Sequence, residues 1–386
     1  MVTYNSQPVT SVQTSEAWLC QTLASGQANA GPPRRPGVTV NFDAVMEAAR
    51  RHCVDVLFAD LMLRTPAGVE PSSTFPREPF EKVVRLAAAR ELSEAHDLSR
   101  LLDGAHSRGL ELLLLKGAAL AYTHYRQPYL RPRNDVDLFL RLSDLGRAEE
   151  LLASLGYERA PEADAEVWTG QRHYVKTAAT GAVHIDLHWR VANPLAFAEA
   201  LTFDDAWPRS VAVPVLGPFA RALSAPDAML LACIHRVAHH QDRINLLWLW
   251  DIHLIASAFS AAEWRLFLDR AIRSRMRSVC ARSFMLASEC FGTEIPETAS
   301  SALRAAADEP AAAFLRGGLR QVDIARADLA ALTTWRQRFA LVREHLWPPV
   351  AYMRAKYPRC PAVLLPLAYL HRIGRGAPKW FERRQA

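Results

Sequence analysis

Residues 131–140 read RPRNDVDLFL, and this run constrains the chain more than any other. Val136, Leu138, Phe139 and Leu140 call for an apolar strand. Asp135 and Asp137 fall at i and i+2 within it, the spacing that puts two side chains on one strand face. Like charges that close repel unless something positive sits between them, so the strand has to meet a cation.

A second apolar strand, AVHIDLHWRV, carries a further acid. His184, Asp186 and His188 share one of its faces, and Val183, Ile185 and Leu187 take the other. Three carboxylates at one sheet edge suit a pair of hard divalent cations: Mg2+, with Mn2+ as the alternative, takes oxygen ligands and shares them with substrate phosphates. Upstream, ELLLL (111–115) reads as a strand and KGAALAYTHY as a helix with a small-residue start. Gly117, Ala118 and Ala119 leave backbone N–H groups at that helix start uncovered, a favourable place for phosphate oxygens. Lys116 adds a mobile cation there, its alternative being a solvated lysine at a strand end. Arg131 and Arg133, just before the acidic strand, are within reach of phosphates, and function is favoured for Arg131 over mere solubility.

These elements give the reading helix, strand, helix, strand, helix, strand, strand: an α+β fold with a small mixed sheet backed by helices, followed by a helical domain. Four segments are expected. Residues 1–40, rich in Ser, Thr, Gln, Gly and Pro, read as a flexible N-terminal arm without helical periodicity. Residues 41–77 hold one helix, capped by Asn41 or Asp43, and a linker; 78–222 form the core, its first helix closed by Gly109; and 223–386 are helical. Ser224 is expected as an N-cap with Asp227 at capping-box spacing.

The order of apolar strand, glycine turn and helix, DxD strand and later single-Asp strand resembles the DNA polymerase beta-like nucleotidyltransferase superfamily. The wording LLKGAAL, RPRNDVDLFL, HIDLHW and WLWDI is similar to its branch of largely uncharacterised bacterial nucleotidyltransferases, over about residues 80–260. The resemblance implies that Asp135, Asp137 and Asp186 bind two Mg2+ ions and that Gly117 and its neighbours hold a nucleoside triphosphate. It implies that an acceptor attacks the α-phosphate and releases pyrophosphate, with AMP expected before other NMPs. The superfamily commonly has Gly-Ser at the turn, whereas this chain has Lys116-Gly117-Ala118, and Lys116 is the candidate substitute for the missing hydroxyl. The acceptor is left open among a small molecule, a peptide and a protein. A catalytically silent nucleotide-binding or protein-interaction module on the same fold is one alternative, and an RNA-end nucleotidyltransferase another.

The rest of the sequence narrows the class. A net charge of +6 is diffuse and almost all arginine, with no basic stripe interleaved with aromatics, so nucleic acid is not the expected partner. Six scattered cysteines without a CxxC pair suggest neither a zinc knuckle nor a disulfide framework. No apolar run approaches the roughly 20 residues of a membrane span, and a cytoplasmic setting is expected. His235 and His239 lie at i and i+4 but lack the Glu and third ligand of a zinc helix. With Arg236 and Arg243 they are expected to border the cleft, near His188, with Asp251 tying helix to helix and Trp248 and Trp250 in the core.

Overall fold

The structure is a computed structural model and describes residues 11–27, 41–66, 75–160, 170–178, 181–304, 309–316 and 319–381. Four helices come first: α1 (Ser11–Gln27), α2 (Phe42–Arg51), α3 (Asp55–Arg64) and α4 (Arg77–Ser107). Asn41 caps α2 by accepting the Ala44 N–H at 3.2 Å. The single helix expected over this stretch is two, because Cys53 turns into the left-handed region at φ +56°. After α4, Gly109 takes φ +64°, the conformation its place beyond a helix end calls for.

The sheet follows with β1 (Leu113–Leu114), α5 (Lys116–Thr123), β2 (Val136–Phe139), α6 (Leu145–Ser154), β3 (Glu158–Arg159), β4 (Gln171–Ala178) and β5 (Gly181–His188). After the short α7 (Leu195–Ala198) and α8 (Phe203–Ala206) come β6 (Val211–Ala212) and β7 (Arg221–Ala222). The seven strands run in the order β3-β4-β5-β2-β1-β7-β6. β2 pairs with β5, and β1 with β7, in parallel; the other pairs are antiparallel. The fold is thus a mixed sheet with helices, as expected.

Strand alternation sends the sheet's two faces to two cores. Leu114, Val136, Leu138, Ile185 and Leu187 pack with α4 and α6, whereas Leu113, Leu115 and Phe139 join a larger core shared with the helices on either side of the sheet in sequence. Asp137 shares its face with Phe139, and Asp186 points away from Ile185 and Leu187. The acids therefore face the helical half.

That half runs through α9 (Ala225–Ala238), α10 (Leu246–Ala258), α11 (Ala261–Arg273), α12 (Arg277–Phe291), α13 (Glu297–Arg304) and α14 (Gln321–Ala331). It closes with α15 (Trp335–Leu346), α16 (Val350–Lys356) and α17 (Leu365–Phe381). Ser224 does not form the expected capping box. Its hydroxyl donates to Asp227 at 2.8 Å, and that fully buried carboxylate is held by Arg209 and by Arg270 at 2.8 Å. A true capping box forms instead between Ser260 and Glu263 at the start of α11. No helix among the described residues is long and apolar enough to cross a membrane.

The flexible arm expected over 1–40 is corrected in its described part. α1 packs on α2, α3 and α12, and Leu19, Cys20 and Leu23 lie in the larger core, where burying them outweighs the polar composition around them. Leu19→Ala is therefore expected to lower stability by about 2–5 kcal/mol in urea melts, as for a core leucine. An unattached arm would give no change.

Candidate active site

The site forms where β2, β5 and the start of α5 meet. In the parallel ladder Asp137 stands directly beside Asp186. Lys116 donates from Nζ to Asp137 Oδ1 at 2.6 Å, and His188 Nε2 lies 2.7 Å from the same oxygen and 3.5 Å from Nζ. The side chains of Asp137 and His188 are more than nine-tenths buried, and those of Asp186 and Lys116 about nine-tenths. Burial opposes ionisation of Asp137, but Lys116 and the hydrogen bond from His188 hold its carboxyl well below the usual carboxylate range. Asp137, Asp186 and His188 each offer a ligand atom, all within 4.8 Å of one another.

Asp135 lies apart from that trio. It is exposed, has no hydrogen-bond or ion-pair partner among the described residues, and is shifted upward, first by desolvation and then by Asp137 and Asp186.

The donor set fits a hard divalent cation. Its carboxylate oxygens are of the type Mg2+ and Mn2+ take, and the Lys116 ammonium stands in as the positive charge that the acids require. The expectation of a solvated lysine is overturned, since Lys116 is buried in this ion pair. Its backbone adopts φ +46°, an uncommon conformation for a non-glycine residue, in order to turn from strand to helix with Nζ directed at Asp137.

Gly117 serves a purpose the sequence did not reveal. A Cβ there would come 3.2 Å from Arg131 Nη1, and Arg131 cannot give way. Its Nε donates to both oxygens of Asp251 at 2.9 and 3.1 Å, its Nη2 to Oδ2 at 2.8 Å and its Nη1 to the Pro132 carbonyl at 2.7 Å. Arg131, expected to reach phosphate, is thus committed to a buried ion pair. Asp251, expected to tie helix to helix, ties α10 to the loop before β2, and it also accepts from the Tyr125 hydroxyl at 2.7 Å. Arg133 faces the other way and is held by Glu91 of α4 at 2.7 and 3.1 Å. The N–H groups of Gly117 and Ala118 precede the first helical bond, which the Ala119 N–H donates to the Leu115 carbonyl at 3.1 Å.

His235 joins Lys116, Arg131, Asp251 and Trp248 in lining a narrow cleft between α5 and the α9–α10 pair. His239 and His240 lie beside it, and the half-buried Trp248 stacks on His240 with ring centroids 3.9 Å apart rather than entering the core; Trp250 is buried as expected. Arg243 is exposed, and Arg236 is buried against Asp242 at 2.5 Å, so neither lines this cleft.

His173 and Gln171 on β4 were missed by sequence reasoning. His173 Nδ1 lies 2.5 Å from Asp186 Oδ1, Gln171 donates to Oδ2 at 3.1 Å, and His184 Nδ1 lies 3.0 Å from His173 Nε2. The antiparallel register sets His173 opposite Asp186. A histidine within the strand QRHYVKTA was the available signal, but its register against β5 could not be read.

Comparisons with known proteins bear on these residues. A family described as uncharacterised nucleotidyltransferase matches residues 39–292, which include every residue of the site. Among curated proteins none matches. The solved structure of the antibiotic-resistance factor ANT(2'')-Ia is 16% identical, covers 48% of this chain and 94% of its own, and superposes with a TM-score of 0.34, an overlap too loose to bear on function.

The histidines beside the cleft make stability depend on pH. Burial first, and then Lys116, lowers His239 to about 3 and His240 to about 4. The folded state favours their neutral forms, so their contribution is intact above the ordinary histidine value of about 6.5 and is lost as pH falls from there toward 4. Urea melts at pH 7 and pH 5 are expected to differ by on the order of 1 kcal/mol for each histidine, with less from the more exposed His240. His239→Asn should flatten part of that slope.

Proposed function

The chain belongs to the uncharacterised nucleotidyltransferase family, and from that premise we propose that it moves an NMP, AMP before others, from a nucleoside triphosphate to an acceptor hydroxyl, releasing pyrophosphate. The observation that carries this reading is the side-by-side placement of Asp137 and Asp186 next to the Lys116 turn at the start of α5. Asp135, Asp137 and Asp186 would hold Mg2+, or Mn2+ in its place, as a pair of ions. When bound, these ions neutralise the triphosphate and lower the pKa of the attacking hydroxyl.

The protein's own residues supply position and charge. Asp186, oriented by Gln171 and His173, is the group placed to accept the acceptor's proton as its oxygen bonds to the α-phosphorus and the bond to the departing pyrophosphate breaks. His188 fixes Asp137 by hydrogen bonding to it. The N–H groups of Gly117 and Ala118, at the positive end of α5, would receive the phosphates. Lys116, freed from Asp137 once that carboxylate has another cation, can reach a phosphate oxygen in place of the hydroxyl that the turn lacks. Arg131 and Asp251 are assigned to positioning the turn. The acceptor is a small molecule, a peptide or a protein.

One observation favours a second reading. The Lys116–Asp137 pair already supplies Asp137 with a counter-charge, as a catalytically silent nucleotide-binding module would require. Calorimetry separates the two. ATP is expected to bind with Mg2+ and to lose its affinity in EDTA, and Asp137→Asn should abolish turnover while leaving the fold intact. Equal ATP affinity in EDTA would support the silent module and defeat two-metal transfer.

Lys116→Ala should move two affinities in opposite directions. ATP binding is expected to weaken by about 1.5–3 kcal/mol, the range for a hydrogen bond to a charged group, with a smaller loss for ADP. Mn2+ alone should bind more tightly, since the cation competing for Asp137 is gone. Parallel titrations of Mn2+ and of each nucleotide check both; unchanged nucleotide binding removes Lys116 from phosphate recognition.

A further inference from the structure

The C-terminal helices carry a charge and a surface unlike the rest of the chain. Residues 333–386 hold 11 of the 46 Lys and Arg but 2 of the 40 Asp and Glu, so the preceding residues hold 35 basic and 38 acidic side chains. The excess positive charge, expected to be diffuse, is therefore confined to this segment. Half of the exposed large hydrophobic side chains among the described residues also lie between Trp335 and Phe381.

Their arrangement is regular. On α15, Trp335 (72% exposed), Phe339 (64%) and Val342 fall at i, i+4 and i+7; on α17, Leu367 (60%), Leu370 and Phe381 lie within about 60° of one another around the helix. Each helix turns a different face inward, through Leu341 and Ala368. The two are braced as a unit: Arg372 of α17 donates to the His345 carbonyl of α15 at 2.8 Å, and the Tyr369 hydroxyl donates to the Pro348 carbonyl at 2.7 Å. Arg336, Arg338, Arg343 and Arg375 flank the apolar faces.

An outward apolar face of Trp, Phe and Leu edged by arginine and almost free of acids has the make-up of an amphipathic surface that lies in a lipid interface. We propose that α15 and α17 form a docking surface for an anionic lipid membrane, their apolar faces seated among acyl chains and their arginines against headgroup phosphates. The aliphatic share of the patch, with Val342, Val350, Val363, Leu364, Leu367 and Leu370 all exposed, favours lipid over single-stranded nucleic acid, which stacks on aromatic rings. The charge favours an anionic surface over a neutral one. The contact is peripheral, as no described helix can span a bilayer.

Flotation of the full chain with vesicles tests this. Binding to phosphatidylcholine vesicles containing about 30% phosphatidylglycerol is expected to exceed binding to phosphatidylcholine alone by roughly tenfold or more, and to fall as salt is raised. The paired substitutions Leu367→Glu with Leu370→Glu, and Trp335→Glu with Phe339→Glu, should each reduce binding by about tenfold or more without moving the thermal melt, because these side chains are already exposed. No binding to anionic vesicles overturns the proposal, as does binding that both pairs leave unchanged. Retention on polyuridine without vesicle binding would assign the face to nucleic acid, and a dimer split by the same substitutions would assign it to a second copy; either also overturns it.

Discussion

A carboxylate buried in an apolar strand is the constraint from which the rest of this structure follows. Removing Asp137 from water costs several kcal/mol unless a cation accompanies it, and the protein supplies one from its own chain, on the first residue of α5. That requirement explains why Lys116 accepts a left-handed backbone, why α5 starts where it does, and why His188 lies beneath the same oxygen. The same demand for positive charge makes the place suitable for a metal ion, and an ion bound there would compete with the lysine for one electrostatic need.

Around that pair the loop before β2 is fixed from both sides. Arg131 and Arg133 lie in the irregular stretch before β2, where one guanidinium reaches α10 and the other α4. Cutting either buried pair at one partner would strand a charge, at about 3–5 kcal/mol, so the loop is far stiffer than its two prolines and its exposed Asn134 suggest. Rigid delivery of Asp135 and Asp137 to the sheet is the result.

Much of this was legible in the sequence, and the limits have physical causes. Alternation along a strand is local, so the shared face of His184, Asp186 and His188 could be read from residue types alone. So could the place of Gly109, where a helix end needs a positive φ. Partners far apart in the chain could not be read: nothing around Arg131 names Asp251, 120 positions away, and nothing around His173 fixes its register against Asp186. Both arginines therefore looked available to phosphate. α1 escaped notice because its buried Leu19 and Leu23 are set among Ser, Thr and Gln, and their burial depends on helices that come later in the chain. Lys116 could be read as a cation near phosphate or as a strand end in solvent, but not as the partner of Asp137, because that acceptor lies on another strand.

The contact between Gly117 and Arg131 has an evolutionary side. The glycine leaves room for a guanidinium that stays in place only while Asp251 holds it, so three positions spread over 134 residues behave as one heritable unit. A methyl group at 117 crowds an arginine that is held in place, and a neutral residue at 251 releases it. A smaller residue at 131 leaves Asp251 buried without its counter-charge. A change at any one of the three is therefore felt at the other two.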